Sequence, residues 1–194
     1  MASLEILPIE PSGPVRGIVR PPGSKSITNR ALVCAALAEG ASRLVGALES
    51  DDTRVMIEAI ARLGMAIDVD PTTVTVHGSG GAFEPPYHPN KPLELDVGNS
   101  GTTMRFLTAM LTVGRGEYRL DGKPRMRQRP ISDLLAALGQ LGANVTCEVE
   151  TGCPPVRIQA AGLPGGSATL RGDVSSQFLS SLLFCLIQYN LCFS

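Results

Sequence analysis

The sequence predicts an α/β fold built from a repeated unit, and three observations carry that prediction. GSKSITNRAL from Gly23 and GNSGTTMRFL from Gly98 align 75 positions apart, with Gly23/Gly98, Thr28/Thr103, Arg30/Arg105 and Leu32/Leu107 in register. Downstream, AIARLGMAIDV (59–69) and AALGQLGANVT (136–146) overlap when shifted by 78 positions, where Leu63 and Gly64 answer Leu141 and Gly142. GDVSSQFLSSLL, from Gly172, is a third opening of the same kind: glycine, small hydroxyls, then an apolar run.

Each unit reads in the same order. A polar turn opens a first helix, over 24–38 and again over 102–111; a short strand follows, over 43–48 and 117–120. A second helix comes next, over 52–63 behind the Asp51-Asp52 pair and over 130–141 with Pro130 as its first residue. Acidic residues and proline suit a helix start. Gly64 and Gly142 suit the left-handed position just past a helix end. Two strands close each unit, over 66–69 with 74–77 and over 144–149 with 156–159; residues 78–92 and 162–166 read as connectors. The repeats are about 23–92 and 93–166, with an incomplete third from 167.

Bulk composition narrows the function classes. At 194 residues the chain can fill one sizeable core or two small ones. The formal net charge is −1 and tryptophan is absent, so no general nucleic-acid role is expected. The apolar stretch 178–193 is interrupted by Ser180, Ser181, Gln188 and Asn190 and falls short of a ~20-residue span, so a buried helix is expected there and no membrane partner. The N-terminus, MASLEILPIEPSG, has neither a basic n-region nor a long apolar core, and a cytoplasmic location is expected. The five cysteines (Cys34, Cys147, Cys153, Cys185, Cys192) show no CxxC zinc spacing and read as reduced, mostly packed thiols.

The polar turns carry the chemistry. Backbone N–H groups at a helix start lack intrahelical partners, and the macrodipole adds partial positive charge. Gly23-Ser24-Lys25-Ser26 and Gly98-Asn99-Ser100-Gly101-Thr102 are therefore candidate anion cradles. Arg30 follows Ser26 by four residues, on one helix face, and Arg105 follows Gly101 likewise. A guanidinium can hold a phosphate or carboxylate through two parallel hydrogen bonds. Ordinary capping by serine and threonine is the competing reading. A Walker A loop is not matched, because Ser24 stands where a glycine should precede the lysine. A third basic cluster, DGKPRMRQRP from Asp121, holds Lys123, Arg125, Arg127 and Arg129; it reads either as a solvated face or as a reach toward the helix starts.

PPGSKSITNRALVCAALAEG, GNSGTTMRFL, DGKPRMRQRPISDLLAALGQLGA and GDVSSQFLSSLL together resemble the 5-enolpyruvylshikimate-3-phosphate synthase (EPSP synthase) family. The related UDP-N-acetylglucosamine enolpyruvyl transferases carry Lys-Asn where this chain has Lys25-Ser26, which favours the shikimate enzyme; an RNA-phosphate cyclase is disfavoured by the charge. The resemblance implies the enolpyruvyl transferase fold: two inverse α/β domains, each of three βαβαββ units. It implies transfer of enolpyruvyl from phosphoenolpyruvate to the 5-hydroxyl of shikimate 3-phosphate, with release of phosphate, no metal and no organic cofactor. It implies that Lys25 touches both substrates and that Ser26 and Arg30 bind shikimate 3-phosphate. Ser175 and Ser176 would hold its phosphate, with Gln177 between the two substrates. Gly101 and Arg129 would bind phosphoenolpyruvate, and Asn99, Thr102 and Arg105 would shape that turn. Phe106 stands where many relatives have proline or leucine. The family enzyme is usually monomeric.

The resemblance also implies a longer enzyme, whose second domain supplies the proton-transfer carboxylates. No convincing catalytic group is expected in this chain: Asp51 and Asp52 read as a helix cap, Asp173 as a turn residue, and His77 and His88 lie in or beside a connector. Residues 1–22 are expected to belong with the second domain, leaving a loose N-terminus. Residues 184–194 depart from the family pattern and are expected to form an exposed apolar tail.

Overall fold

A computed structural model describes residues 8, 11, 13–14, 16–81, 83–84, 91–171, 173 and 175–186. The elements run α1 (Lys25–Leu37), β1 (Glu39–Val45), α2 (Asp51–Arg62), β2 (Ile67–Asp70), β3 (Thr73–Ser79), β4 (Leu93–Asp96), α3 (Gly101–Val113), β5 (Arg115–Asp121), α4 (Ser132–Gln140), β6 (Asn144–Cys147), β7 (Val156–Ala161) and α5 (Ser176–Leu186). A single 3-10 turn, Met126–Gln128, precedes α4.

The repeat is structural. The first sheet has the order β1-β3-β2 and the second β4-β5-β7-β6, so β1, β2 and β3 correspond to β5, β6 and β7. The matching pairs are antiparallel in both sheets; the added edge strand β4 runs parallel to β5, with α3 as the crossover. In β4 the alternation Leu93-Glu94-Leu95-Asp96 buries its two leucines and exposes its acids. No strand precedes α1 among the described residues, where 16–22 are irregular and Ile18 is 97% exposed. The expected loose N-terminus falls largely on residues 1–15, most of which lie outside the described residues.

α3 is the centre of the molecule. Every residue from Gly101 to Val113 is buried except Arg105, and the helix packs on α1, α2, α5, β5 and β7. Its buried Thr108 and Thr112 hydroxyls donate to Met104 O and Ala109 O of the same helix, so the helix can be enclosed without leaving them unpaired. α1 lies on the first sheet, with Leu32, Val33 and Ala36 fully buried.

Local chemistry explains most element ends. Ser24 and Ser100 cap α1 and α3, accepting from the N–H of Ile27 and Thr103. Gly64 and Gly142 follow α2 and α4 at φ +92° and +88°. Three expectations are corrected. Ser50, not the aspartate pair, caps α2 through a capping box with Thr53. α4 starts at Ser132 rather than Pro130: Ile131, at φ −135°, lies outside the helical region, and the N–H groups of Ile131 and Ser132 are satisfied by Gly152 O in the β6–β7 loop. Cys34 is exposed rather than packed, on the same side of α1 as Ile27 (69% exposed), away from the buried Leu32–Ala36 face.

The start of the atypical tail is corrected as well. Phe184 and Cys185 continue α5 and are buried; the Cys185 thiol donates to Ala109 O at 3.1 Å, and burial pushes its pKa up to about 12. Residues 187–194, with Cys192, lie outside the described residues.

On the second sheet, Arg119 grips Glu148 through two nitrogens at 2.9 Å, and Arg157 adds a third contact at 3.1 Å. The hydrogen bond from Arg119 is the main reason the Glu148 carboxyl titrates below its ordinary value. A depressed carboxyl contributes stability above its unfolded pKa and loses it as pH falls through the folded one. Glu148→Gln is therefore expected to cost about 1 kcal/mol at pH 7. That deficit should shrink toward zero in the acid range, below the usual carboxylate titration. Urea midpoints of both proteins from pH 7 to pH 3 check this; a gap that widens with acid contradicts it.

Candidate functional site

Four helix starts meet at one end of the molecule and are tied together by side chains. Lys25 Nζ pairs with Asp52 Oδ2 at 2.7 Å, joining α1 to α2. The Thr103 hydroxyl donates to Asp52 O at 3.3 Å, joining α2 to α3. Gln177 Nε2 donates to the Thr102 hydroxyl at 3.1 Å, and Arg105 Nη1 donates to Gln177 Oε1 at 2.6 Å, joining α3 to α5. Arg30 closes the ring: Nε and Nη2 each donate to Ser180 Oγ at 3.2 Å, and Nη1 donates to Ser26 O at 3.1 Å.

Arg129 enters from the 3-10 turn and donates to Asn99 O at 3.2 Å. A Cβ at Gly101 would lie 2.7 Å from Arg129 Nη1 and 3.3 Å from Arg105 Nη1. Glycine here makes room for two guanidinium groups at one helix start. Burial, then the neighbouring Arg129 charge, lowers the Arg105 pKa. Among the described residues Arg129 makes no ion pair. Two crowded cations beside the unpaired N–H groups of a helix start form a site that favours an anion.

The rest of the basic cluster is divided. Arg127 is taken by Asp121 at 2.8 Å and belongs to the sheet network. The Lys123 backbone N–H donates to Gly98 O at 3.0 Å and fixes the turn before α3. A cavity of about 520 Å³ adjoins this end, lined by Asp52, Asn99, Ser100 and Lys123 among others. A cavity of about 680 Å³ lies at the opposite end, by Phe83, Gly114 and Leu163, far from the helix starts.

The structure thus brings Lys25, Ser26, Arg30, Asn99, Gly101, Thr102, Arg105, Arg129 and Gln177 into one connected set. Ser175 accepts from the Gln177 N–H at 3.2 Å, and exposed Ser176 accepts through its carbonyl from Ser180 at 2.9 Å. Gly23 belongs to the scaffold instead: a Cβ there would meet Gly46 O at 2.5 Å, so its close approach is to the chain's own backbone. Asp52 is engaged with Lys25, a pairing across elements that spacing alone does not reveal. Asp51 pairs with Arg54, Asp173 pairs with Arg171, and His77 sits on β3 beside Asp68, away from the helix starts. His88 lies outside the described residues. Residue reading missed Ser180, the acceptor for Arg30; the i, i+4 step from Ser176 was the available signal.

The family model for EPSP synthase (3-phosphoshikimate 1-carboxyvinyltransferase) matches residues 9–189. The chain belongs to the EPSP synthase family. It is 49% identical over 177 residues to the 3-phosphoshikimate 1-carboxyvinyltransferase of Sulfurovum sp. (strain NBC37-1), covering 90% of this chain and 40% of that protein. It is 46% identical over 180 residues to the chloroplastic enzyme of Arabidopsis thaliana, covering 90% of this chain and 35% of that protein. An EPSP synthase structure from Acinetobacter baumannii superposes with a TM-score of 0.71 at 30% identity, over 84% of this chain and 37% of that one. The chain therefore spans about two fifths of the length of the relatives it matches. Its α/β repeats are those of the enolpyruvyl transferase fold, with one domain represented. Among the described residues no helix is long and apolar enough to cross a membrane.

Proposed function

We propose that this chain carries the substrate-binding helix starts of a cytoplasmic 3-phosphoshikimate 1-carboxyvinyltransferase. The reaction transfers enolpyruvyl from phosphoenolpyruvate to the 5-hydroxyl of shikimate 3-phosphate and releases phosphate. The observation that carries this reading is the ring of contacts joining α1, α2, α3 and α5, with Lys25, Arg30, Arg105 and Arg129 on it. Both substrates are multiply anionic, and donors dominate the ring. Arg30, Ser26, Ser175 and Ser176 bind shikimate 3-phosphate. Gly101 and Arg129 bind phosphoenolpyruvate, supported by Asn99, Thr102 and Arg105. Lys25 and Gln177 lie between the two.

Residues 1–22 pair with a second domain in this reading, and residues 167–186 open a third unit. A second reading, an anion-binding domain without turnover, is favoured by one observation. Asp52, the carboxylate at the helix starts, is paired with Lys25 at 2.7 Å, while Asp51 and Asp173 make only exposed surface pairs with Arg54 and Arg171.

Calorimetric titration of shikimate 3-phosphate tests the binding role, and phosphate release with both substrates tests turnover. Arg30→Ala is expected to abolish measurable shikimate 3-phosphate binding; an unchanged affinity overturns that assignment. Phosphate release at about 1–10³ s⁻¹ would refute the reading without turnover.

A further inference from the structure

Arg30 is held by more than hydrogen bonds. Its guanidinium carbon lies 5.3 Å from the centroid of the Phe106 ring. Phe106 is fully buried, and Phe184 on α5 braces it edge-on, with centroids 5.2 Å apart and planes at 87°. Three helices therefore contribute to one clamp: α1 supplies the cation, α3 the ring face, and α5 both the brace and the Ser180 acceptor.

The donor count shows what the clamp leaves open. A guanidinium has five N–H donors. Nε spends its one on Ser180, Nη2 spends one on Ser180, and Nη1 spends one on Ser26 O. One donor remains on each terminal nitrogen, without a partner among the described residues. The Ser180 hydroxyl is itself fixed, because it donates to Ser176 O at 2.9 Å. Ser180 holds the Nε–Nη2 edge of the guanidinium, Ser26 O holds Nη1, the aromatic ring covers one face, and one donor on each of Nη1 and Nη2 is left for an anion. The arrangement recurs one helix on, where the Arg105 guanidinium carbon lies 5.2 Å from the buried Phe178 ring and Nη1 is held by Gln177.

We propose that Phe106 is a positioning residue for Arg30, its braced ring holding the guanidinium so that its free Nη1 and Nη2 donors meet an anionic group of shikimate 3-phosphate. This rests on the reading of Arg30 as a shikimate 3-phosphate ligand. The aromatic identity at position 106 matters through the charge distribution of its face, since the negative face of the ring attracts the cation. Leucine would fill much of the same space without that attraction.

The test separates electrostatics from packing. Phenylalanine analogues with one, two, three and five ring fluorines at position 106 weaken the ring face stepwise with little change of volume. In the ligand-free full chain, the Nε–H proton of Arg30 is expected to show an upfield ring-current shift that is lost in Phe106→Leu. Its exchange with solvent should quicken with each added fluorine. Shikimate 3-phosphate affinity, measured by calorimetry, should fall in the same order, by about tenfold at full fluorination. Thermal unfolding midpoints of the fluorinated set should stay close together.

Exchange and affinity that ignore fluorine number, or an Arg30 proton with no ring-current shift, overturn the proposal. An affinity loss in Phe106→Leu alone, with the fluorinated set unchanged, assigns Phe106 to packing and overturns it equally. If the unmodified chain binds no shikimate 3-phosphate, the substrate reading of Arg30 fails, while the ligand-free exchange series still decides whether Phe106 holds the guanidinium.

Discussion

Gly78→Ala is expected to cost roughly 3 kcal/mol or more of folding stability, placing it among the severe single substitutions. Gly78 lies on β3 where that strand passes the end of α1. A Cβ there would sit 2.2 Å from both Ala35 O and Ala38 O, far inside contact distance. Both obstacles are backbone, so no rotamer change relieves the clash. The approach is fastened just after Gly78: Ser79 Oγ donates to Ala36 O at 3.1 Å, and the Gly80 N–H donates to Ala38 O at 2.9 Å. Accommodating the methyl means lifting β3 off α1 or unwinding the last turn of α1. Either change moves the helix that carries Lys25 and Arg30. Gly139→Ala is the control. It lies on the exposed side of α4 with open space around the added carbon, and it should stabilise by about 0.5–1 kcal/mol. Urea midpoints of the two variants should therefore move in opposite directions, and a shared direction would contradict the packing argument at Gly78.

The contrast between those glycines shows what the sequence reveals and what it hides. Gly64 and Gly142 are legible because a left-handed residue after a helix is a local requirement. The polar turns before α1, α3 and α5 are legible for the same reason, and so is the repeat they announce. At Gly23, Gly78 and Gly101 the atom an added Cβ would meet first lies 20 or more positions away in the chain, and no local pattern encodes those approaches. β4 shows only four alternating residues after a proline, too short a signal to stand apart from a connector. Asp52 reads as a helix-start residue and is one, but its main partner is Lys25 on another helix. Arg30 and Arg105 align in the repeat, and both reach α5, at Ser180 and Gln177 respectively. Their equivalence is visible in the sequence; their convergence on one helix appears only when the units pack.

Gly101→Ala should leave the fold nearly unchanged while weakening phosphoenolpyruvate binding about tenfold or more. The added methyl meets Arg129 Nη1 at 2.7 Å and Arg105 Nη1 at 3.3 Å, the ends of flexible side chains rather than backbone. Those side chains can give way, and alanine suits the first turn of α3 better than glycine by about 0.5–1 kcal/mol. The midpoint of unfolding should therefore change little. The guanidinium groups pay for the methyl with their positions. Arg129 is held here by one contact to Asn99 O and has little to resist displacement, whereas Arg105 is also fixed by Gln177 and the Phe178 ring. Displacement of Arg129 alone would cost the two-nitrogen grip on an anion that makes arginine effective at such a site. Loss of one charge-assisted contact of about 1.4 kcal/mol is tenfold in affinity. Shikimate 3-phosphate, which we propose binds at Arg30 and the α5 serines, should bind with nearly unchanged affinity. Calorimetry with each ligand separately reads this split. Equal loss for both ligands would mean that Gly101 serves the shared frame rather than the phosphoenolpyruvate subsite, and no loss for either would remove Arg129 from the assignment.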